Sequence, residues 1–244
     1  MEYHIRCDPK DISRYCFTPG SPDRAKKIAA HFEAAKFVSD SRGYLVYSGQ
    51  YEGIFMTVCA TNMGGPTVAI ALEELAHMGA DTFIRVGSCG VFKEGLGPGD
   101  IIISTGTYRA GGTSLAYLPL NFPAVPTFDV TLALKESAAE LGYPVHTGLG
   151  IAGDAFYAPR RQTDEMFREI VKAGVISVEM ESDTLYIVGA YRGWRTGALF
   201  ASDGAPGQVK PESGEAAFRE GEERSIQIAL RAMAKIARRD AANH

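Results

Sequence analysis

Three groups of side chains in this sequence have the types and spacing to do chemistry. The first is an arginine set among small residues, Ile84-Arg85-Val86-Gly87-Ser88-Cys89-Gly90. Glycines let backbone N–H groups approach closely, a serine hydroxyl donates, and a planar guanidinium matches the oxygens of a phosphate. Gly20-Ser21-Pro22-Asp23-Arg24 has similar ingredients at the start of a predicted helix, where a glycine and an arginine one turn in suit an anion. The second group is Glu179 and Glu181 with Met180 between them. In extended chain both carboxylates fall on one side and Met180 on the other. Paired acceptors suit a polyol such as ribose, while Met180 and Phe156 offer apolar contact to a ring. The third is Asp203, closing an apolar strand, where it can be a general acid or a hydrogen-bond acceptor. Each group has an ordinary structural alternative: a surface arginine at a strand exit, a capped helix, a hydrogen-bonded carboxylate pair, a helix-capping aspartate.

The elements that must position these groups can be read from hydrophobic period and punctuation. Ser21 and Pro22 open a helix running to about Lys36, with Ile28, Ala29 and Phe32 on its apolar face. Tyr44–Tyr47 and Ile54–Ala60 read as strands joined by a hairpin turn at Gln50–Gly53. A helix follows from Pro66 to His77, burying Val68, Leu72 and Leu75 and turning Glu73 and Glu74 to water. Thr82–Val86 is a buried strand ending in a small-residue turn, and Asp100–Ser104 is another. Residues 105–126 read as a long connection over the site. Beyond it come a helix at 132–141, a strand at 145–153, a charged helix at 163–173, a strand at 175–181, a buried helix at 182–191, a core strand at 196–201 and an amphipathic helix at 215–238. Strands alternate with helices, which predicts one α/β domain over residues 1–244, a three-layer α/β/α arrangement with a mixed, mostly parallel sheet. In such sheets ligands sit at the carboxyl ends of strands, and that is where Arg85, Ser88, Phe156, Glu179, Glu181 and Asp203 fall.

Bulk properties set bounds. The 244 residues are 45% hydrophobic and 22% charged, ordinary for a globular protein with a large core. A net charge of −4 with no long basic run argues against a nucleic-acid surface. No apolar run approaches membrane-spanning length. Cys7, Cys16, Cys59 and Cys89 have neither metal-type spacing nor a disulfide pattern, so a reduced, cytoplasmic protein is expected.

The motifs taken together, Ile84–Gly90 then Gly99-Asp100, Val178-Glu179-Met180-Glu181 and Ser202-Asp203, resemble the nucleoside phosphorylase superfamily of uridine phosphorylases and hexameric purine nucleoside phosphorylases. The resemblance spans nearly the whole chain and keeps motif order. It implies reversible phosphorolysis of a nucleoside to a free base and α-ribose 1-phosphate, with inorganic phosphate as co-substrate and neither a metal nor an organic cofactor. By the same resemblance Gly20, Arg24, Arg85 and Ser88 are phosphate ligands, and Arg42 is the arginine lent to a neighbouring subunit's phosphate. His4, otherwise an unremarked terminal residue, is the histidine that reaches a neighbour's ribose. Met63, Met180 and Glu181 are ribose contacts supported by Glu179. Two lent ligands imply at least a dimer, and the family's hexamer is the expected assembly.

For the base, the central segments Arg109–Ser114 and Pro119–Val125 resemble uridine phosphorylases, which read uracil with Gln-x-Arg shortly after Phe-Tyr. Here Phe156-Tyr157 precedes Arg160-Arg161-Gln162, with the order reversed. Ser202-Asp203 instead resembles the purine enzymes, whose aspartate serves purine N7. Uridine is the leading expectation and a purine nucleoside the alternative. A nucleosidase using water, or a non-catalytic nucleoside-binding protein, would share the fold, but a hydrolase has no need of three arginines at the nucleophile. Two departures stand out: Ser21 replaces the family's usual aspartate, and Gly43 replaces the glutamate with which some uridine phosphorylases hold a monovalent cation. No such cation site is expected.

Overall fold

The computed structural model describes residues 1–157, 165–206 and 212–242. Its elements run β1 (Tyr15–Phe17), α1 (Pro22–Ala29), β2 (Glu33–Ser41), β3 (Tyr44–Tyr51), β4 (Ile54–Cys59), α2 (Gly65–His77), β5 (Thr82–Val91) and β6 (Ile101–Ala110). They continue through α3 (Phe128–Leu141), β7 (His146–Gly153), α4 (Glu165–Lys172), β8 (Val175–Glu179), α5 (Ser182–Arg192), β9 (Arg195–Gly204) and α6 (Glu212–Ala242). The strands form one nine-stranded mixed sheet in the order β2-β3-β4-β1-β5-β8-β7-β6-β9, and β5 also pairs β9. That last pairing closes β5, β8, β7, β6 and β9 into a ring. Pairing is parallel at β1–β4, β1–β5, β5–β9, β6–β7 and β7–β8. It is antiparallel at the β2–β3 and β3–β4 hairpins and where β8 meets β5 and β6 meets β9.

Helices cover both faces, giving three layers. Val68, Leu72 and Leu75 of α2 and Leu185 and Ile187 of α5 pack against Phe83, Ile102 and Phe200. On the other face Ile28 of α1, Val130 and Leu134 of α3, and Ile226 and Met233 of α6 pack against Phe17, Ile84, Val86 and Leu199. The strand period of two explains the split along β5: Ile84 and Val86 face one layer, Phe83 and Cys89 the other. Arg85 shares the side of Phe83, toward the start of α5. Among the described residues no helix is long and apolar enough to cross a membrane.

Three elements differ from the sequence reading. Helix α1 stops at Ala29 rather than near Lys36, and Glu33–Ser41 instead forms the edge strand β2. The predicted turn Gly87–Gly90 is strand: β5 continues to Val91, with Gly87 opposite Phe200 and Cys89 opposite Ser202. The small residues there serve packing. A Cβ on Gly87 would lie 2.6 Å from the Phe200 ring, and one on Gly90 would lie 2.9 Å from Pro206. Finally, β6 runs through Ala110, so the connection over the site begins there rather than at residue 105.

Candidate active site

Arg85 lies in the middle of β5 rather than at a strand end, and is the centre of a buried cluster beside the carboxyl ends of β1, β4 and β8. Its Nη2 donates to Glu181 Oε2 at 2.5 Å, and Nη1 donates at 3.4 Å to the Thr18 carbonyl and the Thr61 hydroxyl. Nε lies 3.7 Å from Glu179 Oε2, is buried and makes no hydrogen bond, so the guanidinium keeps donor capacity in reserve. Gly20 adjoins it: a Cβ there would meet Arg85 Nη2 at 3.4 Å and the Asn62 carbonyl at 3.1 Å.

The carboxylates take different positions from the extended pair read in the sequence. Strand β8 ends at Glu179, and Glu181 is the residue before α5. Glu179 folds over the helix start, accepting from the Glu181 and Ser182 N–H groups at 3.0 Å and from Ser182 Oγ at 2.6 Å. It therefore caps α5. Glu181 points the other way, to Arg85 and, through Oε1, to the Gly64 N–H at 2.7 Å. Burial and the charge of Glu181 push Glu179 up to about 7, against the pull of Arg85 and Ser182. Asp203 lies near the end of β9, one residue after the Ser202 that pairs with Cys89. The Cys89 thiol, lifted well above its ordinary value by burial, also feels the charges of Glu179 and Asp203.

Arg24 stands in the first turn of α1, whose Ser21 accepts the Asp23 N–H as an N-cap. The Arg24 side chain is 7% exposed, with Nε on Glu222 Oε1 at 2.7 Å and Nη1 on the Val86 carbonyl at 3.2 Å. Ser88 follows on β5, opposite Ala201. Met63 is 79% exposed at the mouth, one residue before the Gly64 amide that Glu181 holds. Phe156 and Tyr157 stand edge to face with ring centres 5.0 Å apart at the end of β7, both exposed. The predicted base contacts Arg160 and Gln162 lie outside the described residues, and Met180 lies partly exposed between the two glutamates.

Arg42 and His4 are brought together by Tyr3. Arg42 stacks over the Tyr3 ring at 5.3 Å, and Tyr3 meets the His4 ring edge-on at 4.7 Å. Arg42 opens the two-residue β2–β3 turn with φ 54°, before Gly43 at φ 83°. Asn, Asp or Gly normally fill that place, and an arginine pays about 1 kcal/mol of backbone cost there. Such an outlier is a reason to ask what the side chain does. Glu74, read from the sequence as facing water, is 7% exposed. It accepts the His4 and Ile5 N–H groups at 3.0 and 2.8 Å and His4 Nδ1 at 2.5 Å, pinning the N-terminal segment.

Sequence reasoning also missed what holds the connection after β6. Arg109, buried, donates from Nη1 to the Pro119 and Phe122 carbonyls, from Nη2 to the Leu118 carbonyl, and from Nε to Ser114 Oγ. Ser114 in turn donates to Asp183 at 2.9 Å, and Asp154 accepts the Gly112 N–H at 2.6 Å. The loop thus hangs from the starts of α5 and the end of β7, alongside the carboxylate cluster.

Comparison with known proteins shows the family and the fold. The profile of the Phosphorylase superfamily matches residues 14–235. A uridine phosphorylase of Thermococcus kodakarensis is 39% identical over 211 residues, 82% of this chain and 76% of that protein. A guanosine phosphorylase of Halorubrum lacusprofundi is 32% identical over 201 residues, 82% of each chain. A crystal structure of uridine phosphorylase from Vibrio fischeri ES114 superposes with a TM-score of 0.89 at 28% identity, covering 95% of this chain and 96% of that one.

Proposed function

The chain belongs to the Phosphorylase superfamily, and we propose that it catalyses the reversible phosphorolysis of uridine to uracil and α-ribose 1-phosphate. The observation that carries the reading is the shared position of Arg85: one guanidinium adjoins the Gly20 turn, suited to an oxyanion, and grips Glu181, suited to sugar hydroxyls. Nucleophile and sugar are thereby addressed from one anchored point, which is how a two-substrate displacement gains from proximity.

In this reading phosphate sits between Gly20, Arg24, Arg85 and Ser88, and attacks the anomeric carbon as the bond to the base lengthens. Charge-assisted contacts from the arginines hold and orient the phosphate for that attack, which is a gain in proximity. Glu181 accepts from the ribose hydroxyls, Glu179 holds Glu181 and the start of α5 in place, and Met63 and Met180 line the sugar. Phosphate is the co-substrate, and the step needs no metal or organic cofactor. Arg42 and His4 complete the site of a neighbouring subunit, within a dimer and a hexamer built from three of them. The surface cluster of Arg42, Tyr3 and His4, and the backbone cost accepted at Arg42, support that role. Four buried thiols suit a cytoplasmic setting.

Phe156 with Arg160 and Gln162 is assigned to uracil, in keeping with the uridine phosphorylases among the relatives. Asp203 favours a second reading, a purine nucleoside with the aspartate at N7, and the guanosine phosphorylase relative is in keeping with it. Asp203 acts as acid or acceptor for the leaving base in either case. An activity panel with uridine, thymidine, inosine, guanosine and adenosine, with and without phosphate, decides between them. Uridine loss only in the presence of phosphate is the expected result. Cleavage of purine nucleosides without uridine would replace the substrate, and undiminished turnover in phosphate-free buffer would replace phosphorolysis by hydrolysis.

A further inference from the structure

Glu222 has no part in the reaction described above, yet it is one of the most deeply buried carboxylates of the chain, 5% exposed on α6. It meets Arg24 Nε at 2.7 Å through Oε1 and Lys27 Nζ through Oε2. Burial alone would raise it, but the hydrogen bonds and charges of Lys27 and Arg24 outweigh burial and hold the carboxyl below its ordinary value. The ion pair therefore persists as such through neutral pH. Two fixed acceptors, Glu222 Oε1 and the Val86 carbonyl, set the plane of the Arg24 guanidinium. Val86 follows Arg85, so this constraint refers Arg24 to the strand that carries the other arginine.

The position of Glu222 is itself over-determined. A Cβ on the neighbouring Gly221 would run into the Gly99 carbonyl, and one on Gly99 would run into the Ala217 carbonyl. Backbone of α6 thus lies directly on the Gly97–Asp100 turn. That turn is tied to β9 by the Gly99 N–H on the Ser202 carbonyl at 2.9 Å and the Ser202 N–H on the Asp100 carbonyl at 2.8 Å. A rigid chain of contacts runs from β9 next to Asp203, through Gly99 and Gly221, to Glu222 and Arg24.

We propose that Glu222 is a positioning residue for phosphate, fixing the Arg24 guanidinium at the angle in which it meets the oxyanion. The proposal rests on the phosphorolysis reading. Two physical effects oppose each other. Loss of the carboxylate frees Arg24 to rotate, which weakens a directional contact, and it also removes a negative charge from the phosphate's surroundings, which would strengthen binding. Positioning requires the first to win.

The test is a titration of inorganic phosphate into the wild type, Glu222→Gln, Arg24→Ala and the double variant, with KM for phosphate and uridine measured alongside. Glu222→Gln should weaken phosphate binding and raise its KM about tenfold, with the uridine KM and the kcat at saturating phosphate moved much less. In the Arg24→Ala background it should add nothing, because the residue it aims is gone. Glu222→Asp, which keeps the charge but shortens the reach, should behave like Glu222→Gln and serves if the latter folds poorly. Unchanged or tighter phosphate binding in Glu222→Gln overturns the proposal, as does an equal loss in the Arg24→Ala background. A wild type that cleaves uridine yet binds no phosphate overturns the phosphorolysis reading, and this proposal with it.

Discussion

Arg85 and Glu181 are joined through Nη2 and Oε2 at 2.5 Å, with both side chains 5% exposed or less. In the proposed reaction, the cation assigned to phosphate and the anion assigned to ribose thus hold one another before either substrate arrives. Their charges are mutually compensated in a place where a lone charge would be costly. Each substrate then exchanges one partner for another rather than desolvating a bare ion.

Replacing Arg85 tests this relationship directly. Arg85→Ala should cost about 2–4 kcal/mol in kcat/KM, because a buried charge-assisted contact that holds and orients the nucleophile is lost. A loss of less than tenfold in steady-state kinetics would remove Arg85 from the phosphate site.

Arg42 offers a test that needs no structure. Arg42→Ala and Arg85→Ala proteins should each be impaired, while a mixture allowed to exchange subunits should regain part of the activity. Recovery follows because an interface between the two variants assembles one intact site. If mixing restores nothing after exchange is shown by mass spectrometry of the oligomer, Arg42 acts within its own chain or not at all.

The Glu179 value makes a statement about stability against pH. Its folded value, about 7, stands above the ordinary 4.5 through burial and the Glu181 charge. A raised acid binds its proton more tightly when folded. Its contribution is therefore complete below about pH 4.5 and fades as pH rises through about 7. Wild-type stability in urea should fall between pH 5 and 8 by up to about 3 kcal/mol more than that of Glu179→Gln. Parallel slopes for the two proteins would mean that the donors of Glu181 and Ser182 keep Glu179 ionised throughout.

Arg109 should matter to stability before it matters to catalysis. Arg109→Met fills similar space but releases the Leu118, Pro119 and Phe122 carbonyls and the Ser114 hydroxyl. The expected cost is about 2–3 kcal/mol, or a Tm lower by about 4–12 °C in calorimetry. The loop should also become the first site of limited proteolysis. An unchanged Tm would show that these carbonyls find water at no cost.

Much of this organisation was legible in the residues themselves. The helix of Val68, Leu72 and Leu75, the capped start at Ser21 and the left-handed Gly142 that ends α3 all appear where period and punctuation place them. That Arg85, Glu179 and Glu181 come together was legible too, but Arg85 stands in the middle of β5 and Glu181 follows β8 as the residue before α5, so their strand-end placement was not. Strand β2 was not: it is a sheet edge with mostly exposed side chains and two register shifts, so no period of two survives in Glu33–Ser41. Gly87 and Gly90 misled because small residues mark close packing as well as turns, and only the partner strand shows which. Glu74 reads as a surface carboxylate on an amphipathic helix, and Glu222 is not singled out in the sequence reading at all. For Glu222 a signal existed, since Ile226, Ala229 and Met233 continue its stripe along the buried face of α6, and an acid on an apolar stripe calls for a buried partner. The cation, Arg24, lies 198 residues away in sequence.

The closure of β5, β8, β7, β6 and β9 divides the molecule by how readily its amides exchange with solvent. Each strand of the ring is bonded on both sides, so freeing one requires two ladders to open at once, an event close to global unfolding. Strand β2 is bonded on one side only and opens alone. In heavy water β5 and β9 should retain their protons longest and β2 lose them first. Opening is therefore expected first in the segments that leave the ring, where a change of substrate would leave the strand bearing Arg85 as it is.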